Sequence, residues 1–202
     1  MNIFGLEYDP DPRGFILIPD AIASAQAQCD KHVVKMICES GQMLSTAHRL
    51  LDGFGEMRLS KSGKTLTKYY VHPEIELELN LYKAVHHKHP CTIWTTESSA
   101  NYEWHYRHFI ALCEEYTYRY GKTHLTERRL REPLKNLPRN IPEGGLTPFR
   151  LAMGSNPECM FPDDPVKSYR MFYQTKQDRF KMTWTKRSVP QWFQTSSNQR
   201  SL

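Results

Sequence analysis

No stretch of this 202-residue chain approaches the roughly eighteen consecutive apolar residues of a membrane-spanning helix, so no membrane association is expected. The opening MNIFGLEYDPDPRG lacks a basic start followed by an apolar run, so a secretory signal is not expected either. The five cysteines are odd in number, scattered and without a CxxC pair. That argues against a disulfide framework and for reduced thiols in a cytoplasmic protein. HExxH, HxxEH and GxSxG are all missing. SKSGKT (60–65) has the end of a phosphate-binding loop without its first glycine, and a hairpin turn accounts for it better. Histidines cluster at His86, His87 and His89 and at His105 and His108, but with no thiolate pair beside them. Neither a metal nor another cofactor is expected.

With 39% hydrophobic and 12% aromatic residues, the chain can build a proper core. Its charge is uneven. Residues 166–202 carry eight Lys/Arg against Asp178 alone, while residues 1–30 carry five acids against Arg13. A basic C-terminal third suits a polyanionic partner, and it equally suits a solvated lysine-rich face.

The patterning predicts a mainly helical (α+β) single domain over 1–202, with a small antiparallel sheet inserted at 54–85. Asn2 to Leu6 reads as a short strand or extended segment, and YDPDPRG as a loop. Val33, Met36/Ile37, Ser40, Met43/Leu44, Ala47 and Leu51 recur at three- and four-residue steps, so a helix is expected from about Ile22 to Leu51, capped by Asp20. GEMRLSKSGKTLTKYYV reads as two strands around a turn, and the alternating EIELELNLY as a third. A long helix follows from about Ile93 to Tyr120, ended by Gly121. Residues 126–135 form a basic helical turn or two, and the Pro/Gly-rich stretch 137–165 an ordered loop. A last helix starts at Pro165 and runs through VKSYRMFYQTKQDRFKMTW, VPQWF docks as an aromatic hook, and TSSNQRSL is a frayed tail.

Two helical faces attract chemical interest. His32, Lys35, Glu39, Gln42, Thr46 and Arg49 form one polar stripe, with Asp30 and Lys31 beside its start. Glu97, Asn101, Trp104, His108, Ala111, Glu115 and Tyr118 form another. Each is either a solvated face or the wall of a cleft. A glutamate in an aromatic cleft has a raised pKa and works as a general acid or base. The C-terminal run interleaves Lys176, Arg179, Lys181, Lys186 and Arg187 with Trp184, Trp192 and Phe193. It serves either phosphates and unstacked bases or the anchoring of the C-terminus.

The blocks CDKHVVKMICESGQMLSTAHRLLDG, HPCTIWTTESSANYEW, ALCEEYTYRYGKTH, DDPVKSYRMFYQTKQ and WTKRSVPQWF resemble an uncharacterised family of proteins from large tailed bacteriophages. A fainter resemblance reaches the pyrimidine-dimer DNA glycosylases, through a structured N-terminus, an HP before a long helix and a basic-aromatic C-terminus. That resemblance implies an amine nucleophile and a helix glutamate as its acid/base partner. Position 2 is Asn, too large for efficient Met removal, so the free amine would be that of Met1, with Lys31 or Lys35 as substitutes if burial lowers their pKa.

The expectation is a phage enzyme acting on DNA or a nucleobase, of glycosylase or base-modification type. Glu97, Glu115, His32 and Lys31 are the candidate catalytic residues. Asp30, Asn101, Trp104, His108, Arg119 and Lys122 would bind substrate, and Lys181, Trp184, Lys186 and Arg187 nucleic acid. The alternatives are a nucleotide or nucleotide-signal enzyme using the same stripes, and a non-catalytic anti-defence protein whose basic patch meets a host partner.

Overall fold

A computed structural model describes residues 2–10, 17–60 and 62–194. Helices α1 (Ala21–Gln26), α2 (Asp30–Leu51), α3 (Ile75–Asn80), α4 (Pro90–Glu97), α5 (Ser99–Tyr120), α6 (Leu125–Leu130) and α7 (Pro165–Gln174) surround one core, and strands β1 (Phe54–Leu59) and β2 (Leu66–Val71) form a hairpin. The fold is mainly helical, as the patterning predicts. No helix among the described residues is long and apolar enough to cross a membrane.

The centre is α2 against α5. Val33, Met36, Ile37, Met43, Leu44 and Ala47 are buried on α2, and Tyr102, Phe109, Leu112 and Cys113 on α5. Each fully buried Leu, Ile or Phe contributes roughly 1.5–3 kcal/mol, so this seam dominates the packing. The extended segment Asn2–Leu6 threads into the same core without joining a sheet. Residues 11–16 and the tail from 195 lie outside the described residues.

Three boundaries differ from the sequence reading. The first helix is two, because the chain leaves helical geometry after Ala27 and restarts behind Cys29; Asp20 caps the short α1. The long helix breaks at Ser98, whose φ of −154° and ψ of 158° are extended and whose hydroxyl caps Asn101 N. The last helix ends at Gln174 and tightens into a 3-10 turn over Thr175–Asp178. Gly121 closes α5 in the left-handed region (φ 64°), and Asp164 caps α7.

IELELN is a helix, α3, and among the described residues of 54–85 only Phe54–Leu59 and Leu66–Val71 are strands. Glu and Leu favour helix intrinsically, and alternation sets a strand only where a neighbouring strand takes its hydrogen bonds. Here Arg49 decides the matter. Its guanidinium, 1% exposed, donates to the carbonyls of Tyr70, Glu78, Leu81 and Tyr82 and to the Glu78 carboxylate. Burial works to raise the Glu78 pKa, but the His72 N–H, Arg49 and Tyr69 outweigh it and hold the carboxyl below its ordinary value. Arg49 therefore ties hairpin and α3 to α2. Replacing it (Arg49→Met) should cost about 3–5 kcal/mol, since Glu78 and four carbonyls lose their donor. Urea denaturation should register the loss, and hydrogen exchange should place the opening in β1, β2 and α3.

Candidate active site

The start of α2, the end of α5 and the segment after α7 meet through a chain of charges that is buried at its centre. Arg119 donates to Asp30 Oδ1 (2.9 Å), Glu115 Oε1 (2.6 Å) and the Gln26 carbonyl. Arg187 donates to both Glu115 oxygens, at 3.0 and 2.8 Å. Asp30 also accepts from the Thr183 and Thr185 hydroxyls and the Thr185 N–H. Burial pushes against its ionisation, yet these donors together with Arg119 hold its pKa below the ordinary value.

This clamp lays the chain that follows α7 along the first turns of α2, and the two border an open-sided cavity of about 250 Å³. Asn2 and Phe4 line one side, while α2 contributes His32, Lys35, Met36 and Glu39. Phe172, Lys176, Arg179 and Phe180 close the other side. Glu39, 8% exposed, accepts from Asn2 N (3.1 Å) and pairs with Lys35 (3.2 Å). Lys176 is 8% exposed, with its Nζ 3.3 Å from the centroid of the Phe172 ring. Burial, then repulsion from Arg179 and Lys35, lowers its pKa from 10.5 to about 8. Its amine is thus partly neutral near physiological pH, the state required of a nucleophile.

His32 is fixed by Tyr173. The Tyr173 hydroxyl accepts from Cys29 N (2.8 Å) and shares a hydrogen bond with His32 Nδ1 (2.7 Å). Burial, with the nearby cations Lys35 and Lys176, drives the His32 pKa down to about 3. The ring is neutral at physiological pH.

A second depression adjoins the first. Tyr116 and Tyr120, with ring centroids 5.0 Å apart, line a dish of about 320 Å³ with Lys31, Lys122, Val34 and Asp30. Lys31 spans the two, its Nζ 4.6 Å from the centroid of Phe180. It is exposed, as is Lys35, so neither meets the condition of a buried amine.

The other expected site residues are placed differently. Glu97 pairs with Arg150 and accepts from Thr147, while His32 turns into the cavity with Lys176; the two stripes do not form opposite walls of one site. Asn101 holds the Trp94 carbonyl and Thr147. Trp104 is buried, donates to the Pro19 carbonyl and stacks on His108 at 5.3 Å, leaving no open face for a base. His108 donates from Nδ1 to the Ala21 carbonyl and accepts from Gln28; burial holds its pKa down at about 4. Glu115 is sealed between two arginines, so it serves the clamp. Tyr118 is exposed, but Lys186 and Arg187 lie over its ring. Trp184 donates to the Ala27 carbonyl and packs on Phe193, as an anchor does. Lys181 is exposed, and Lys186 donates to the Tyr118 carbonyl.

Sequence reasoning saw Lys176 and Arg179 only as part of a basic-aromatic run for phosphates and gave Lys176 no catalytic role, and it gave Glu39 no role within its stripe. The spacing of His32, Lys35 and Glu39 on one face was the signal; what faced them was invisible without the clamp. No protein-family model, curated protein or solved structure matches this chain.

Two outcomes test this electrostatic picture. Glu115→Gln leaves Arg119 and Arg187 short of their shared counter-charge and should cost about 3–5 kcal/mol in urea denaturation. For the histidines, the unfolded state takes up protons near pH 6.5 whereas folded His32 and His108 resist to about 3 and 4. Their contribution to stability is therefore full above about pH 6.5 and falls as pH drops toward 4, by about 1.4 kcal/mol per unit and per histidine. The unfolding midpoint should follow that slope, and His108→Gln should flatten it. A midpoint constant over this range would contradict the assigned neutral rings.

Proposed function

We propose that this protein is a phage enzyme acting on DNA or a nucleobase, of glycosylase type, with Lys176 as amine nucleophile and Glu39 as its acid/base partner. The observation that carries the reading is the cavity itself: a buried amine with its pKa lowered to about 8 shares about 250 Å³ with a helix carboxylate. The pairing of amine and helix glutamate is what the resemblance to the pyrimidine-dimer glycosylases implies. Those roles fall here to Lys176 and Glu39 in place of Lys31, Glu97 and Glu115.

The chemistry balances. The Lys176 Nζ lone pair forms a bond to C1′ as the glycosidic C1′–N bond breaks, and the departing base keeps those electrons and takes a proton from water. Nζ gives a proton to Glu39. Glu39 returns it to O4′ as the C1′–O4′ bond opens, which leaves a protonated imine that water hydrolyses. Lys35 and Arg179 supply charge for a phosphate, and His32 supplies a neutral polar ring. The dish of Tyr116, Tyr120, Lys31 and Lys122 offers rings and cations to a flanking nucleotide.

Borohydride reduction during incubation with duplexes carrying an abasic site or a damaged pyrimidine should trap a covalent complex, with the adduct mapping to Lys176. Lys176→Arg should abolish it, and Glu39→Gln should slow base release by 10²-fold or more, on the order of a lost general acid/base. Undiminished trapping in folded Lys176→Ala would overturn the assignment. The cavity's small volume favours one other reading, a mononucleotide enzyme. Thermal stabilisation by a mononucleotide, with DNA inert, would select it.

A further inference from the structure

At the far end of α2 lies a second constellation. His48 and His32 are sixteen residues apart on that helix, about 24 Å at 1.5 Å per residue. His48 sits in the last turn of α2, and Asp52 follows four residues later as its C-terminal cap. The hairpin returns His72 to the same spot, because Phe54 pairs with Val71 and the next residue emerges beside Asp52. Gly53 permits this closeness: a Cβ there would lie 2.5 Å from the Arg49 carbonyl oxygen and 2.6 Å from that of Val71.

One donor atom from each of His48, Asp52 and His72 falls within 4.8 Å of the others, and His72 Nε2 is 3.8 Å from Asp52 Oδ2. The two histidines are 1% and 2% exposed, and His48 Nδ1 and His72 Nε2 are buried without a hydrogen bond of good geometry, with the Asn136 backbone close to the His48 ring. Buried polar atoms nearly always find partners, and two convergent exceptions beside a carboxylate need a physical reason.

The surroundings orient these atoms. The Tyr102 hydroxyl donates to the Leu134 carbonyl (2.9 Å), so it accepts from His48 Nε2 (2.9 Å) and leaves the lone pair on Nδ1. The Asp52 oxygens accept from the backbone of Arg139 (2.8 Å) and Asn140 (2.9 Å). Such outer contacts fix ligand tautomer and direction at metal centres. At His72, Nδ1 accepts from Glu74 N (3.1 Å). Ligation through Nε2 moves the ring proton to Nδ1, so this local contact is exchanged for the metal bond.

We propose that His48, Asp52 and His72 form a binding site for a divalent first-row transition metal of the zinc type. Two imidazoles and one carboxylate are a borderline N/O donor set. Bonds of about 2.1 Å place donors roughly 3.0–3.5 Å apart, so the side chains close in slightly on binding. The site adjoins a cavity of about 490 Å³ lined by Glu74, Glu76, Glu132 and Arg139; Arg139 pairs with Glu74 (2.7 Å), and the carboxylates of Glu76 and Glu132 favour an incoming cation. Three protein ligands leave a coordination position for water or a small ligand from that cavity.

Titration of the chelator-treated, full-length protein with Co²⁺ should give one equivalent of visible d–d absorption that Zn²⁺ displaces, and Zn²⁺ should raise the unfolding temperature. His48→Gln and His72→Gln should each weaken binding at least tenfold, and Asp52→Asn should do so while keeping an acceptor for the 139–140 backbone. His86→Gln, at an exposed position, should leave it unchanged. Circular dichroism checks the fold, and Asp52→Asn stands as the deciding variant if either histidine variant unfolds. Absence of binding at millimolar Co²⁺, or binding indifferent to Asp52→Asn and both histidine variants, would overturn the proposal.

Discussion

The Asp30–Arg119–Glu115–Arg187 chain, buried at Arg119 and Glu115 and part-buried at its two ends, is the constraint on which the candidate site depends. It joins three segments far apart in sequence: the first turn of α2, the last turns of α5 and the stretch after α7. Taking such charges out of water costs several kcal/mol per ion, and the cost is recovered only where hydrogen bonds satisfy them. Here they do: Arg119 has three acceptors, both Glu115 oxygens are engaged, and Asp30 is held by two threonines as well as Arg119. Because these bonds are directional, they fix the position of residues 183–187 on α2. The cavity wall of Lys176, Arg179 and Phe180 leads directly into that clamped stretch.

The cavity's charges pull in two directions. Lys35, Lys176 and Arg179 draw an anion in, and their mutual repulsion helps strip the proton from Lys176. A phosphate placed against Lys176 would restore that proton. Lys35 and Arg179 therefore suit the phosphate, while the sugar and base suit the amine, the Phe172 ring and Glu39. His32 stays neutral among these cations, adding a polar ring without further charge.

Much of the fold was legible. The apolar stripe of α2, the glycine that ends α5, the Asp–Pro start of α7 and the hairpin all follow from local rules, and the structure bears them out. EIELELN misled because a two-residue alternation of Glu and Leu fits strand and helix alike, and the deciding partner, Arg49, lies about thirty residues upstream. For the site, the stripe from His32 to Glu39 was visible but its counterpart was not. Nothing local distinguishes Lys176 from the solvated lysines around it; only long-range packing buries that amine. The same holds for Glu115, whose polar stripe pointed to a cleft but whose arginine partners convert it into a structural ion. His48 and His72 escaped notice because they are single residues on different elements, joined by the hairpin's return.

The central claim is that the Lys176 amine is poised within the cavity, and its charge state tests that most directly. A ¹⁵N-lysine NMR titration of the free protein should show one Nζ with its midpoint near pH 8, absent in Lys176→Arg. A Lys176 Nζ that titrates near the ordinary 10.5 would contradict the account.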